Sequence, residues 1–388
     1  MNLNPRRAAA TLLGAGLLAL SAGLARPAAA ELPNDPASGS QVLPASSPHW
    51  VWVNDFVFPH MTDGKAMLVD GDTGHYLGEL DTGFGSVRVV PSLDGSVIYS
   101  PESYFSRGTR GVRTDVVTIY DPKHLAPLGE IIIPPKRSSN MPMIANVQLT
   151  DDGRFLLIYN FTPGQSVTVV DTKSRSFVTE VETPGCALVF PTGARSFFSI
   201  CADGTLLDVR LDDTGHDTNK QRTAGIFDVK HDPVTEKGVR VGDSWYFVSF
   251  GGTIYPVNIV KGAPVAGGTW SLLTAADKAA SWRPGGLQQL AVHAGLKRLY
   301  SIMHQGSLYT HKDPGKEVWV YDLAKHARVQ KIAMQNLTGS IQVSRDEHPL
   351  LFGAFIESNI LDVYDAVGGS HLRSVTDIGT TPTLLVSP

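Results

Sequence analysis

Cys186 and Cys201 stand fifteen residues apart in CALVFPTGARSFFSIC and are the only cysteines of the chain. They fall on what read as two strands of one hairpin. In an oxidising compartment, half-buried thiols facing each other across a hairpin pair, and a structural disulfide is the expectation. Two buried free thiols or a redox pair are the competing readings, and no basic residue lies immediately beside either cysteine to lower a thiol pKa. Among the 12 histidines, only His304 and His311 lie close together, flanking a loop. That pair reads as solvated rather than metal-bound.

Other constellations that carry chemistry are missing. The chain has no His-Glu-x-x-His zinc helix, Cys-x-x-Cys-His haem attachment, Walker loop or Gly-x-Ser-x-Gly elbow. Gly83-Phe84-Gly85 lacks the third glycine and the following helix of a dinucleotide loop. Phe84 draws attention for another reason. In DTGFGSVRVV it sits between two glycines on a turn linking strands, where the backbone can bend sharply and thrust the ring outward. Such a ring gates a pocket or plugs a partner; a ring folded back onto the body of the protein is the bland alternative.

The elements that position these residues repeat. Hydrophobic runs end in Asp70, Asp121, Asp171, Asp212, Asn258, Asp322 and Asp365, at successive spacings of 51, 50, 41, 46, 64 and 43 residues. Each is followed by a polar turn and further strand-like runs such as SLDGSVIYS and TDDGRFLLIYN. Short strands with a period of roughly 40 to 50 residues predict β-propeller blades, and seven copies predict seven blades. The recurrent aspartates read as turn caps. The strand near Pro382 to Val386 is expected to complete a blade begun by His49 to Asn54. The longest spacing holds an insertion, WSLLTAADKAASWRPGG, expected to contain a short helix capped by Ser271 or Thr274 and stopped by Pro284 and Gly285. An insertion on a rigid ring either meets a partner or covers a blade edge.

Composition agrees with a folded, exported protein. The 388 residues are 42% hydrophobic, and 33 Lys and Arg against 37 Asp and Glu leave a formal charge of -4, without the basic excess of nucleic-acid binders. Arg6 and Arg7, the apolar stretch Ala8 to Leu20 and the run Ala28 to Ala30 read as a cleaved signal peptide over residues 1–30. Residues 31–46, rich in Pro, Ser, Ala and Gly, read as a flexible arm. Residues 47–388 form the expected all-β domain, a single seven-bladed propeller without a membrane anchor.

Over nearly all of the expected mature chain, the sequence resembles the heavy (α) subunits of quinoprotein amine dehydrogenases, meaning methylamine dehydrogenase and its aromatic amine dehydrogenase relative. The segments that carry the resemblance are DTGF ending at Phe84, YFSRGTRGVRTD from Tyr104 to Asp115, the Cys186 to Cys201 hairpin, WSLLTAADKAASWRPGGLQQ from Trp270 to Gln289, and HKDPGKEVWVYD from His311 to Asp322. The resemblance implies a periplasmic subunit in an α2β2 complex with a small cysteine-rich light subunit. Tryptophan tryptophylquinone would reside in that light subunit, so this chain binds no cofactor and supplies no catalytic group. Primary amines would be oxidised to aldehyde and ammonia, with electrons passing to a small copper protein of the amicyanin or azurin kind. Phe84 matches the phenylalanine that lines the substrate channel in that family, and the matching cysteines support the Cys186 to Cys201 disulfide. Trp282 and Arg283 agree with the methylamine branch and are candidates for the partner interface. GSVRVV after Phe84 departs from that branch, and Met303 to Asp322 leans towards the aromatic one, which leaves the amine open. A stand-alone cell-surface binding propeller and a propeller enzyme with its own acid-base site, such as a lactonase, are the competing functions.

Overall fold

Acidic turns fold the chain back at the end of successive hydrophobic runs. Asp70, Asp121, Asp171, Asp212, Asp322 and Asp365 each accept the backbone N–H two residues on, at 2.8 to 2.9 Å. These are Asx turns, in which the side chain replaces a backbone acceptor. Asn258 departs from the pattern because its Oδ1 accepts from Ser244 Oγ instead. There the return is made by Lys261 and Gly262, both at positive φ (51° and 78°), the backbone of a two-residue hairpin between Val260 and Ala263.

The computed structural model describes residues 42–85 and 88–388. The signal peptide expected over 1–30 and most of the arm expected over 31–46 lie outside the described residues. Of that arm, residues 42–46 are described: the Leu43 N–H donates to Lys123 O at 2.9 Å, and its side chain packs against the cluster that contains Trp50 and Trp52. No helix among the described residues is long and apolar enough to cross a membrane.

Seven antiparallel sheets follow one another around a ring, making an all-β seven-bladed propeller. The first blade takes three strands from the start of the described chain, Trp50–Asp55, Gly64–Asp70 and Tyr76–Gly83, and its innermost strand from the end, Pro382–Val386. Trp52 pairs with Val386 and Val53 with Leu385, so sheet hydrogen bonds close the ring and leave no open seam. The second blade runs from Val90–Pro91 to Ala126–Ile133 and the third from Val147–Leu149 to Ser176–Glu182. Between blades, the inner strands are buried on both faces and read as unbroken apolar runs. Phe190 of the fourth blade lies 5.1 Å from both Trp245 and Phe247 of the fifth, centroid to centroid and edge to face. Full burial of each such ring contributes about 1.5–3 kcal/mol.

The insertion differs from its expected form. Thr274 does cap a helix, Ala275–Ala279, in a reciprocal box: Thr274 Oγ1 accepts the Asp277 N–H, and Asp277 Oδ2 accepts the Thr274 N–H. Ser271 accepts the Leu273 N–H in the preceding turn rather than capping. The helix ends well before Pro284, because Ser281 turns left-handed (φ 59°) and Trp282–Pro284 is a strand paired with Arg298–Gln305 in the sixth blade. Pro284 lies at the end of that strand, where a missing N–H is tolerated.

Candidate functional site

Phe84 sits on the connection from the first blade to the second, between Gly83 (φ 65°) and Gly85 (φ 55°). A Cβ at Gly85 would run into Ser139 O, so at this bend glycine is required twice, for its φ and for its size. The Phe84 N–H donates to Ser103 O and the Gly85 N–H to Met61 O, each at 2.9 Å. The half-buried Phe84 ring meets Phe105 edge to face at 5.3 Å. The turn therefore holds the ring against the second blade while leaving part of its surface open.

The grip on this turn comes from the next connection round the ring. The buried Arg137 donates from Nη2 to Phe84 O and from Nη1 to Gly85 O, the latter at 2.9 Å. Behind it stands Asp115, fully buried, whose Oδ2 accepts the Arg137 backbone N–H at 3.2 Å. Asp115 also receives two bonds from Arg113, Nε to Oδ1 and Nη2 to Oδ2, both at 2.7 Å, and one from Ser103 Oγ at 2.6 Å. Arg113 Nη2 in turn donates to Arg137 O at 3.0 Å. Burial pulls the Arg137 guanidinium down to about 10, with Asp115 opposing, so it stays charged at neutral pH.

Beneath the same turn lies a second network. Glu102, buried in the second blade, accepts from Tyr104 Oη at 2.7 Å and from Tyr120 Oη at 3.0 Å. Tyr120 Oη reaches Asp81 O at 2.7 Å. Burial pushes the Glu102 carboxyl up despite these donors. Both of its oxygens are engaged, and its work is to hold two tyrosines under the strand that leads into Phe84.

Arg137 also lines a cleft of about 240 Å³, with Arg113, Met141, Tyr159, Phe161 and Leu188. Met141 and Phe161 are 50% and 58% exposed. Unbranched sulfur and aromatic side chains left in water beside a shaped cleft suit contact with another apolar surface.

The other sequence candidates lie elsewhere. Cys186 and Cys201 are directly opposed in the fourth blade and joined by a disulfide, both buried in the Phe190 and Phe198 cluster. Trp282 and Arg283 lie on the sixth blade, half-buried; the Trp282 ring tilts against Trp319 at 5.0 Å with Lys331 Nζ 5.3 Å from its centroid. Neither takes part in the hydrogen bonds of the Phe84 turn. His304 is buried rather than solvated and shares a 2.8 Å hydrogen bond between Nε2 and Thr310 Oγ1. His311 stacks on Phe250 at 3.7 Å. Among the described residues, no group of three or more His, Cys, Asp or Glu is arranged to hold a metal ion.

Comparison with known proteins decides what kind of propeller this is. The family model described as methylamine dehydrogenase heavy chain (MADH) matches residues 48–387. The chain belongs to the methylamine dehydrogenase heavy chain family. The heavy chain of Methylophilus methylotrophus is 30% identical over 352 residues, covering 89% of this chain and 84% of its own. That of Paracoccus versutus is 32% identical over 333 residues, covering 83% and 76%. Solved structures of other propellers share the fold alone. A periplasmic gluconolactonase of Pseudomonas aeruginosa has a TM-score of 0.60 at 15% identity, covering 87% of this chain and 99% of its own. The Cps50 β-propeller domain of Myceliophthora thermophila has 0.57 at 10%, covering 86% and 100%.

Within the family segments, sequence reading singled out Phe84 but missed Arg137, Asp115 and Arg113, which hold it. Arg113 and Asp115 lie in YFSRGTRGVRTD, where three arginines precede an aspartate inside a strand-like run. A charge pair on a strand that should be buried is the signal that could have found them.

Proposed function

We propose that this chain is the heavy subunit of a periplasmic quinoprotein amine dehydrogenase, oxidising primary amines to aldehyde and ammonia with electrons passed to a small copper protein. The observation that carries this reading is the family match over residues 48–387, which includes the Phe84 turn. The chain's part is to scaffold a cysteine-rich light subunit in an α2β2 assembly and to shape the route by which the amine arrives.

Tryptophan tryptophylquinone, carried by the light subunit, supplies the electron sink for the amine. The residues around Phe84 fit such an arrangement, since they present aromatic edges beside a cleft and engage their charged groups with one another. Phe84 orients and selects the amine by steric fit and keeps water from the apolar side of the pocket. Arg137 fixes where that ring stands. The exposed Met141 and Phe161 are candidates for contact with the light subunit, as are Trp282 and Arg283 on the sixth blade.

Purification of the exported protein from its source tests the reading. The expected result is a co-eluting small chain rich in cysteine, quinone absorbance, and amine-dependent reduction of an electron acceptor by the complex alone. Amine oxidation by this chain in isolation, or its elution without a partner and without amine oxidation in any fraction that contains it, would overturn the reading.

A further inference from the structure

The innermost strands of the blades converge on the propeller axis, and residues from six of the seven blades line one cavity there of about 170 Å³. Its charged lining is lopsided. Arg88, Lys237 and Arg345 face Glu236 as the sole carboxylate, and the remaining polar lining is made largely of the amides Gln148, Gln288, Gln289 and Gln342.

The charge of Glu236 acts on Lys237 without a direct contact. Among the described residues, neither Arg88, Lys237 nor Arg345 forms an ion pair. Arg88 is only 7% exposed. Its Nη2 donates to Val147 O at 2.6 Å and to Gln148 Oε1 at 3.3 Å, while its Nε is buried without a partner. Lys237 Nζ donates to Gly286 O at 2.6 Å. Arg345 is exposed, belongs to the cavity lining and stands close enough to Arg88 to repel it. Burial, with that repulsion, lowers Arg88 to about 10, and burial lowers Lys237 to about 8. A buried cation with an unmatched donor costs stability, and Arg88 is one, sharing the cavity with the half-buried Lys237 and the exposed Arg345.

We propose that the axial cavity is a binding site for a small tetrahedral oxyanion of the phosphate or sulfate type, held by Arg88, Lys237 and Arg345. Guanidinium forks and an ammonium are the donors that such an anion recognises, and of the Arg88 guanidinium only Nη2 has an acceptor among the described residues. At roughly 30 Å³ per water the cavity has room for about five, enough for one oxyanion with some of its hydration but not for a nucleotide. The glutamines hold the walls in place: Gln288 exchanges both of its amide groups with the Leu385 backbone, and Gln342 Nε2 donates to Ser387 Oγ. This site is independent of the amine dehydrogenase reading.

Calorimetric titration of the purified full chain with inorganic phosphate and, separately, sodium sulfate tests the site, at constant ionic strength with chloride as the balancing anion. One saturable site per chain is expected, with a melting temperature that rises with anion concentration. Arg345→Gln, at an exposed position free of side-chain hydrogen bonds among the described residues, should weaken binding roughly tenfold or more without loss of folding. Lys237→Gln should do the same, and Lys316→Gln on the outer surface should leave binding unchanged. Absence of a saturable signal with either anion into the tens of millimolar, or unaltered affinity in the Arg345→Gln, Lys237→Gln double variant, would overturn the proposal.

Discussion

Arg137 and Phe84 stand 53 residues apart in sequence, and the guanidinium of the first caps the carbonyl of the second. Consecutive blade-to-blade connections thus interlock: the turn between the first and second blades is held by the segment between the second and third. Through Arg137, the position of one aromatic ring depends on a half-buried ion pair, Arg113 with the fully buried Asp115.

Replacing Phe84 with alanine removes the ring and keeps the backbone contacts that hold the turn. In the reconstituted complex, the ratio of kcat/KM for a short against a bulky primary amine should change about tenfold or more, since each methylene accommodated or excluded by an apolar pocket is worth about 1–3 kcal/mol. An unchanged ratio rejects the gate. A uniform fall for all amines would point to a loss of docking rather than of selection.

Arg137→Lys keeps the charge and loses the fork. An ammonium cannot present two parallel donors to Phe84 O and Gly85 O, although the backbone N–H of residue 137 keeps its bond to Asp115. One buried acceptor is left unmatched, at a cost of about 1–3 kcal/mol, which a lowered urea midpoint would report. The amine ratio should move in the same direction as in Phe84→Ala, though less far. Lost stability with an unmoved ratio would show that Arg137 serves the fold only.

Much of this architecture is legible in the sequence, and the reasons are local. An aspartate two residues before a turn N–H writes the same message at six strand ends, and with Asn258 at the seventh the blade number follows from counting. The pairing of Pro382–Val386 with Trp50–Asp55 is legible because a seven-fold repeat that leaves one unpaired strand at its end must close on its first blade. The Phe84 turn announces itself through its two glycines. Arg137 does not, because its partners are backbone carbonyls and a carboxylate 22 residues away, and no spacing rule encodes a side chain that crosses between connections. The helix stop was misread for a related reason: Pro284 looks like a terminator, but Ser281 had already turned the chain and the proline lies on a strand.

The disulfide ties the innermost strand of the fourth blade to its neighbour and closes a loop with a sequence separation of 15. Loop-closure entropy for that length is worth about 3 kcal/mol. The Cys186→Ala, Cys201→Ala double variant should lose about 3 kcal/mol of stability, read as a lowered urea midpoint, and retain the amine ratio, because neither residue touches the Phe84 turn. Peptide mapping without reduction should link the two cysteines. Two free thiols in the purified protein would contradict the bridge.

His49 joins the first blade to the seventh, with Nδ1 2.7 Å from Asp72 Oδ1 and Nε2 3.0 Å from Asp346 Oδ2. Burial works against its charged form, but the two carboxylates outweigh burial and raise its pKa above 6.5. Burial likewise opposes ionisation of Asp346, while Ser344, the His348 N–H and His49 bring that carboxyl down to about 2. The signs then differ. A raised histidine stabilises the fold fully below its unfolded value of 6.5 and loses that contribution as pH climbs through the folded value. A depressed aspartate stabilises above 3.8 and loses its contribution as pH falls towards 2. Both are present together between about pH 4 and 6.5, so the seam between the blades is strongest there. His49→Gln should therefore lower the urea midpoint most in that window, and the gap from the unmodified protein should narrow as pH rises towards 9. A gap that stays constant across the range would mean that His49 holds the seam through neutral hydrogen bonds and packing, and that no proton is needed to close the ring.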